Sequence, residues 1–145
     1  MDKESKKKFV KSYINSAQRR IEYAQIALLK KDFPYVIREC QLIAELSAKA
    51  LIIRFGFVVP KTHNLTEEIL EISDLLSESF QKNVNSHIKL LKKLRKEREV
   101  ALYGDSEEKI IPDELYTEPE TQKIFKLTQD FYSLCENELI VFLQD

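Results

Sequence analysis

The sequence predicts an all-α protein, an up-and-down antiparallel bundle of four to five helices. Three observations predict it. Gly occurs only twice and Pro four times, whereas a β-rich chain needs many turns and more glycine. Apolar residues recur at i, i+3/i+4 spacing through most of the chain. Residues that cap or end helices (Asp32, Gly56, Asn64, Gly104, Thr117) fall between those periodic segments. The 145 residues fit one domain spanning 1–145, long enough to bury a core without metal or disulfide.

The first helix is predicted from about Glu4 to Lys31, with the stripe Phe9/Val10, Tyr13/Ile14, Ala17, Ile21, Ala24 and Ala27/Leu28. Lys6-Lys7-Lys8 reads as a solvated face, and its charge near a helix start opposes the helix dipole. Asp32 can cap the second helix, with Pro34 in its first turn and Gly56 as its stop. Ala44, Ser47, Ala48 and Ala50 let a neighbouring helix approach closely. Phe57-Val58-Val59-Pro60 is expected to be extended, because proline disfavours helix at the residue before it.

Asn64 and Glu67 form a candidate cap for a third helix, with the stripe Leu65, Ile69, Ile72 and Leu75/Leu76, ending near Phe80. A fourth helix is predicted from about Asn83 to Tyr103, stopped by Gly104. A loop from Asp105 to Tyr116 contains Pro112. Thr117 and Glu120 make a second capping box. It opens a fifth helix that buries Ile124, Leu127/Thr128, Phe131, Leu134/Cys135, Leu139 and Phe142.

Lys+Arg total 23 and Asp+Glu 24, so bulk charge makes no case for nucleic-acid binding and any basic patch must be local. Cys40 and Cys135 stand far apart, with no C-x-x-C pair, and read as reduced, semi-buried thiols rather than a disulfide framework. The pattern calls for no metal and no cofactor. The charged stretch from Met1 to Lys11 lacks the apolar run of a signal peptide, and no segment approaches ~20 apolar residues. The expectation is a cytoplasmic protein with no membrane span.

The fourth helix carries the unusual residues. At about 100° per residue, Val84, Ile88, Leu91 and Leu102 share a face with Arg95 and Arg98, and His87 lies on its flank. Lys89, Lys92, Lys93 and Lys96 project elsewhere, as a charged outer face or a phosphate-attracting strip. Guanidinium groups in an apolar stripe need carboxylates, phosphate or a second subunit. Glu39 and Glu45 on the second helix are the acidic candidates. Glu45 also has Lys49 four residues on, as an intrahelical pair would.

Several segments together resemble the HEPN-domain family of small archaeal and bacterial proteins. Arg98-Glu99-Val100-Ala101-Leu102-Tyr103-Gly104-Asp105, followed by Ile111-Pro112-Asp113-Glu114-Leu115-Tyr116-Thr117, is similar to the end of that family's fourth helix and its next loop. Glu45-Leu46-Ser47-Ala48-Lys49-Ala50-Leu51 resembles its second helix, and Pro60-Lys61-Thr62-His63-Asn64-Leu65 its Pro-x-x-His loop. These segments span residues 39–120, in the family's order and spacing.

The resemblance implies a helical bundle that usually dimerises. Many such proteins are metal-independent RNases, often toxins, some bind nucleotides, and many are encoded beside a small nucleotidyltransferase. The dimer unites two Arg-x4–6-His motifs in one composite site. Arg98 matches the motif arginine, but the residue five positions on is Tyr103, not His.

Imidazole, with a pKa near ~6.5, suits taking the 2′-OH proton, and a phenol, near ~10, does not. Glu99 stands where the family often has a polar amide, and its charge repels RNA. His87, 11 residues before Arg98 or roughly 16 Å along the helix, cannot replace the motif histidine within one chain.

The expected catalytic pair is Arg98 and Tyr103, and the expected binding set Arg95, Arg98, Glu45, Lys49, His63 and Asp105. The expected function is a homodimer that binds RNA or a nucleotide around Arg98, with weak or no ribonuclease activity. The alternatives are a non-catalytic partner of a small nucleotidyltransferase, as toxin or helper, and a helical adaptor without a nucleic-acid role.

Overall fold

The computed structural model describes residues 1–56 and 65–145. Helix α1 (Lys3–Leu29) begins at Asp2, whose carboxylate accepts from the Ser5 amide at 2.7 Å and offsets the lysines of the first turns. Its inner stripe is Val10, Ile14, Ala17, Ile21, Ala24 and Ala27. Phe9 points outward, nearly half exposed.

The short turn at Lys30–Asp32 reverses the chain into α2 (Phe33–Arg54). Asp32 caps α2 through the Tyr35 amide at 3.3 Å, with Pro34 in the first turn. Past its end, Gly56 takes φ +85°, a conformation in which a side chain is strained.

α2 is the central helix, buried almost all round, which explains its nearly continuous apolar sequence. α1, α5 and α6 all pack on it. Ala44, Ser47, Ala48 and Ala50 are all closed off from solvent, as close helix approach requires. The Ser47 hydroxyl is satisfied by the Ile43 carbonyl at 2.7 Å.

The predicted third helix arrives in pieces: α3 (Thr66–Ile72), a 3-10 turn (Ser73–Leu75) and α4 (Glu78–Lys82). Leu76 turns extended, and Ser77 starts a new helix by accepting from the Phe80 amide at 3.3 Å. The Ser77 amide and hydroxyl both donate to Glu138, which pins the break. The apolar stripe nevertheless holds, with Leu65, Ile69, Ile72, Leu76 and Phe80 buried. The Asn64 cap and the Phe57–Pro60 segment lie outside the described residues.

α5 (Val84–Tyr103) ends at Gly104, with φ +77°. A Cβ there would collide with the Ile110 carbonyl oxygen, so the turn that pairs Asp105 with Ile110 requires glycine. The connection continues through a 3-10 turn (Pro112–Glu114) to Tyr116, whose buried phenol donates to Glu97 at 2.5 Å and ties the loop to α5. Thr117 then caps α6 (Glu118–Gln144) through the Glu120 amide at 3.3 Å. α6 buries Ile124, Phe125, Thr128, Phe131, Tyr132, Cys135, Leu139 and Phe142, while Leu127 faces outward. The architecture is the expected all-α bundle.

Candidate functional site: a basic cleft between two helices

α5 is rotated relative to the sequence expectation. Its buried stripe is His87, Leu90, Leu94 and Ala101. Val84, Ile88 and Leu91 are half-buried, and Arg95, Arg98 and Leu102 are exposed. The arginines therefore lie not in the core-facing stripe but on the flank beside it. His87, expected on the flank, is in the core, between Phe80 and Phe131 at ring distances of 4.8 and 5.2 Å. Burial lowers its pKa below the usual imidazole value.

The flank of α5 meets α2 and leaves a cleft of about 310 Å³. Arg38, Gln41 and Leu42 of α2 form one wall, and Arg98, Glu99, Leu102 and Tyr103 of α5 the other. Further along the seam, Gln41, Ala44 and Glu45 face Leu91, Leu94 and Arg95. Moving forward along α2 thus moves backward along α5, which is antiparallel packing. Tyr103 stands at the mouth of the cleft, 76% exposed. This cleft brings the expected pair, Arg98 and Tyr103, together.

The acidic partners expected for the arginines are engaged elsewhere. Buried Glu39 takes Arg20 of α1, with Nη1 at 3.2 and 3.3 Å from its two oxygens. Glu45 accepts from Lys49 at 2.9 Å and from Gln41 at 2.7 Å. The first pair forms because α1 is packed closely on α2, the second because residues four apart stack on one helix face. Among the described residues, Arg38 and Arg98 make neither an ion pair nor a hydrogen bond.

The rest of the expected binding set divides. Arg95 lies outside the cleft, in a shallow depression of about 640 Å³ shared with Thr66, Glu67, Lys92 and Lys96. Glu45 and Lys49 pair with each other. Asp105 accepts from the Glu107 and Glu108 amides at 3.1 and 3.2 Å, so its carboxylate shapes the turn after α5. His63 lies outside the described residues.

Sequence reasoning missed Arg38 and Gln41. Their signal was present, since Arg38, Gln41 and Leu42 share one face of α2, but only the α2–α5 register shows that this face opens beside Arg98.

The cleft offers two guanidiniums, a phenol, an amide and one carboxylate. It has donors for an anion, an aromatic face and no imidazole among the described residues. The thiols take no part: burial pushes the Cys40 thiol up to about 12 and Cys135 well above the usual thiol range, and both are free and fully buried. Among the described residues no cluster of three or more His, Cys, Asp or Glu could hold a metal, and no helix is long and apolar enough to cross a membrane.

The chain is an all-α bundle with an arginine-lined cleft at the end of its α5 helix. The HEPN domain family model matches residues 10–138, nearly the whole chain, and the protein belongs to the HEPN family. Comparison with curated proteins and with solved structures finds no match. Family membership supports a general nucleic-acid-related or RNase-like role.

Proposed function

We propose that the protein is a cytoplasmic HEPN homodimer that binds RNA or a nucleotide around Arg98 and cleaves RNA weakly or not at all. The observation that carries this reading is the convergence of Arg98 and Tyr103 on one cleft where, among the described residues, the guanidiniums are unpaired and no imidazole is present. The arginines attract phosphate. A phenol in place of the motif histidine is a poor proton acceptor at neutral pH. Dimerisation follows the family's habit and fits the half-buried apolar residues Val84, Ile88 and Leu91 on the flank of α5 away from the cleft, which a second copy would cover.

The test is RNA cleavage in the presence of a chelator by wild type, Tyr103→His and Arg98→Ala, beside sedimentation. Wild type should be nearly inert. Tyr103→His should gain rate, since a positioned general base contributes roughly 10²–10⁴-fold. Chelator-resistant wild-type cleavage lost in Tyr103→Phe would make the phenol a working catalytic group and reverse the reading. Sedimentation at 17.1 kDa at high concentration would remove the dimer.

The 76% exposure of Tyr103 also favours a second reading, in which its hydroxyl is modified by a partner nucleotidyltransferase. Mass spectrometry after co-expression with such an enzyme should then find a nucleotide adduct on Tyr103.

A further inference from the structure

We propose that the α2–α5 cleft holds one nucleotide of a single-stranded RNA, with its phosphate clamped between Arg38 and Arg98 and its base stacked on the Tyr103 ring. The inference rests on the RNA-binding reading above and adds to it a second phosphate ligand from another helix, a stacking surface and a strand type.

Arg38 carries the first part. It is half-buried, lines the cleft opposite Arg98 and has no ion pair or hydrogen bond among the described residues. A partly desolvated guanidinium without a counter-charge favours an anion that enters from outside. Its sequence neighbour Glu39 cannot serve, because Arg20 already holds both carboxylate oxygens. Glu45 is likewise neutralised by Lys49. Glu99 is the one acidic side chain in the cleft wall; it pairs with neither arginine, and two positive charges against one leave the cleft net basic. Guanidinium forks on opposite walls match the tetrahedral oxygens of a phosphate.

Strand type follows from shape and from charge beyond the cleft. A cavity of about 310 Å³ between two helices admits an unstacked nucleotide and not a duplex. The exposed Tyr103 ring at its mouth offers the stacking platform that single-strand binders use. Arg95, Lys92 and Lys96 line the next depression along α5, so positive charge continues from Arg98 for roughly 9 Å along the helix, enough for a neighbouring phosphate. That continuation favours a strand over a free mononucleotide.

The test is binding of a fluorescent oligouridylate of about ten nucleotides to full-length wild type, Arg38→Ala, Arg38→Lys, Arg98→Ala, Tyr103→Leu and, as a remote control, Lys126→Ala, across a salt series. Circular dichroism confirms that each variant is folded. Arg38→Ala should weaken binding about tenfold or more and reduce the salt slope by about 0.7, the value for one phosphate contact on a single strand. Arg38→Lys should restore the slope but only part of the affinity, because an ammonium lacks the fork. Tyr103→Leu should weaken binding with the slope unchanged. Lys126→Ala should behave as wild type.

If Arg98→Ala loses binding while Arg38→Ala does not, the clamp is wrong and the RNA-binding reading stands. If wild type binds no RNA, both fall. If Arg38→Ala alters sedimentation but not RNA affinity, Arg38 contacts a second copy of the chain and the clamp is overturned. If uridine monophosphate competes as well as the oligomer on a nucleotide basis, the ligand is a free nucleotide and the strand assignment is overturned.

Discussion

The two sides of α2 treat charge in opposite ways. On the α1 side, Arg20 reaches Glu39 and the pair is sealed, with the carboxylate side chain only 6% exposed. On the α5 side, Arg38 and Arg98 face a cleft and pair with no carboxylate among the described residues. Adjacent residues of one helix, Arg38 and Glu39, thus serve different purposes. The glutamate helps close the bundle, and the arginine is left to the solvent side. The contrast teaches that a charge pattern on one helix cannot be assigned a role until its neighbours are known. The first side should be sensitive in stability and the second in ligand binding.

Breaking the sealed side should have the largest effect. Glu39→Gln leaves Arg20 without its counter-charge in a half-buried place. Removing one partner of a buried pair costs about 3–5 kcal/mol, and the Arg20 side chain, 34% exposed, regains part of that from water. A loss of about 2–3 kcal/mol is expected, read as a lower urea midpoint at an unchanged m-value.

The frame of the open side can be broken next. Gly104→Ala puts a Cβ against the Ile110 carbonyl in a left-handed backbone. It should cost about 1–3 kcal/mol and disturb the neighbouring Tyr103. A near-neutral result in urea unfolding would show that the loop after α5 yields easily.

Much of this architecture was legible in the sequence. The α1 stripe, the Asp32 and Thr117 caps, the Gly104 stop and the α6 core positions depend on local chemistry, and local chemistry is written in consecutive residues. The break at Ser77 was not legible, because the Glu138 side chain that fixes it comes from α6. The facing of α5 failed for a related reason. Two apolar arcs lie side by side on that helix, and the one with His87 and Ala101 looks weaker by composition. Tertiary packing chose it because an imidazole fits between Phe80 and Phe131. Arg98 and Tyr103 were singled out through resemblance to a family motif, whereas Arg38 needed the α2–α5 register.

His87 gives a pH test of the sealed core. Burial lowers its folded pKa below the unfolded value of 6.5, and its Nε2 has no hydrogen-bond partner among the described residues. The unfolded chain therefore takes up the proton first as pH falls. The contribution is fully present above pH 6.5 and is lost progressively below it, until the folded state also protonates. The slope is at most about 1.4 kcal/mol per pH unit. His87→Phe should flatten the difference in urea midpoint between about pH 7 and pH 5 relative to wild type. An equal pH response in both proteins would place the acid sensitivity in the carboxylates instead.

The smallest expected effect is the most direct test of the contrast. Arg38→Ala and Arg98→Ala should each change stability by no more than about 0.5 kcal/mol, the range of surface substitutions. Neither guanidinium is bonded within the described residues, so no partner is orphaned when it is removed. Removing the half-buried Arg38 stem exposes apolar surface of the cleft wall, which sets the sign toward slight destabilisation. Against this, removing Arg38 relieves its repulsion of Arg98 across the cleft, which acts the other way. The two contributions are small and opposed. Arg20→Ala supplies the reference on the sealed side, where Glu39 would be left buried and uncompensated and the loss should be several times larger. All three are measured by urea unfolding at low salt, where screening least obscures the repulsion. Equal losses for Arg20→Ala and Arg38→Ala would mean that Arg38 is a structural residue, and the division of α2 into a sealed and an open side would be wrong.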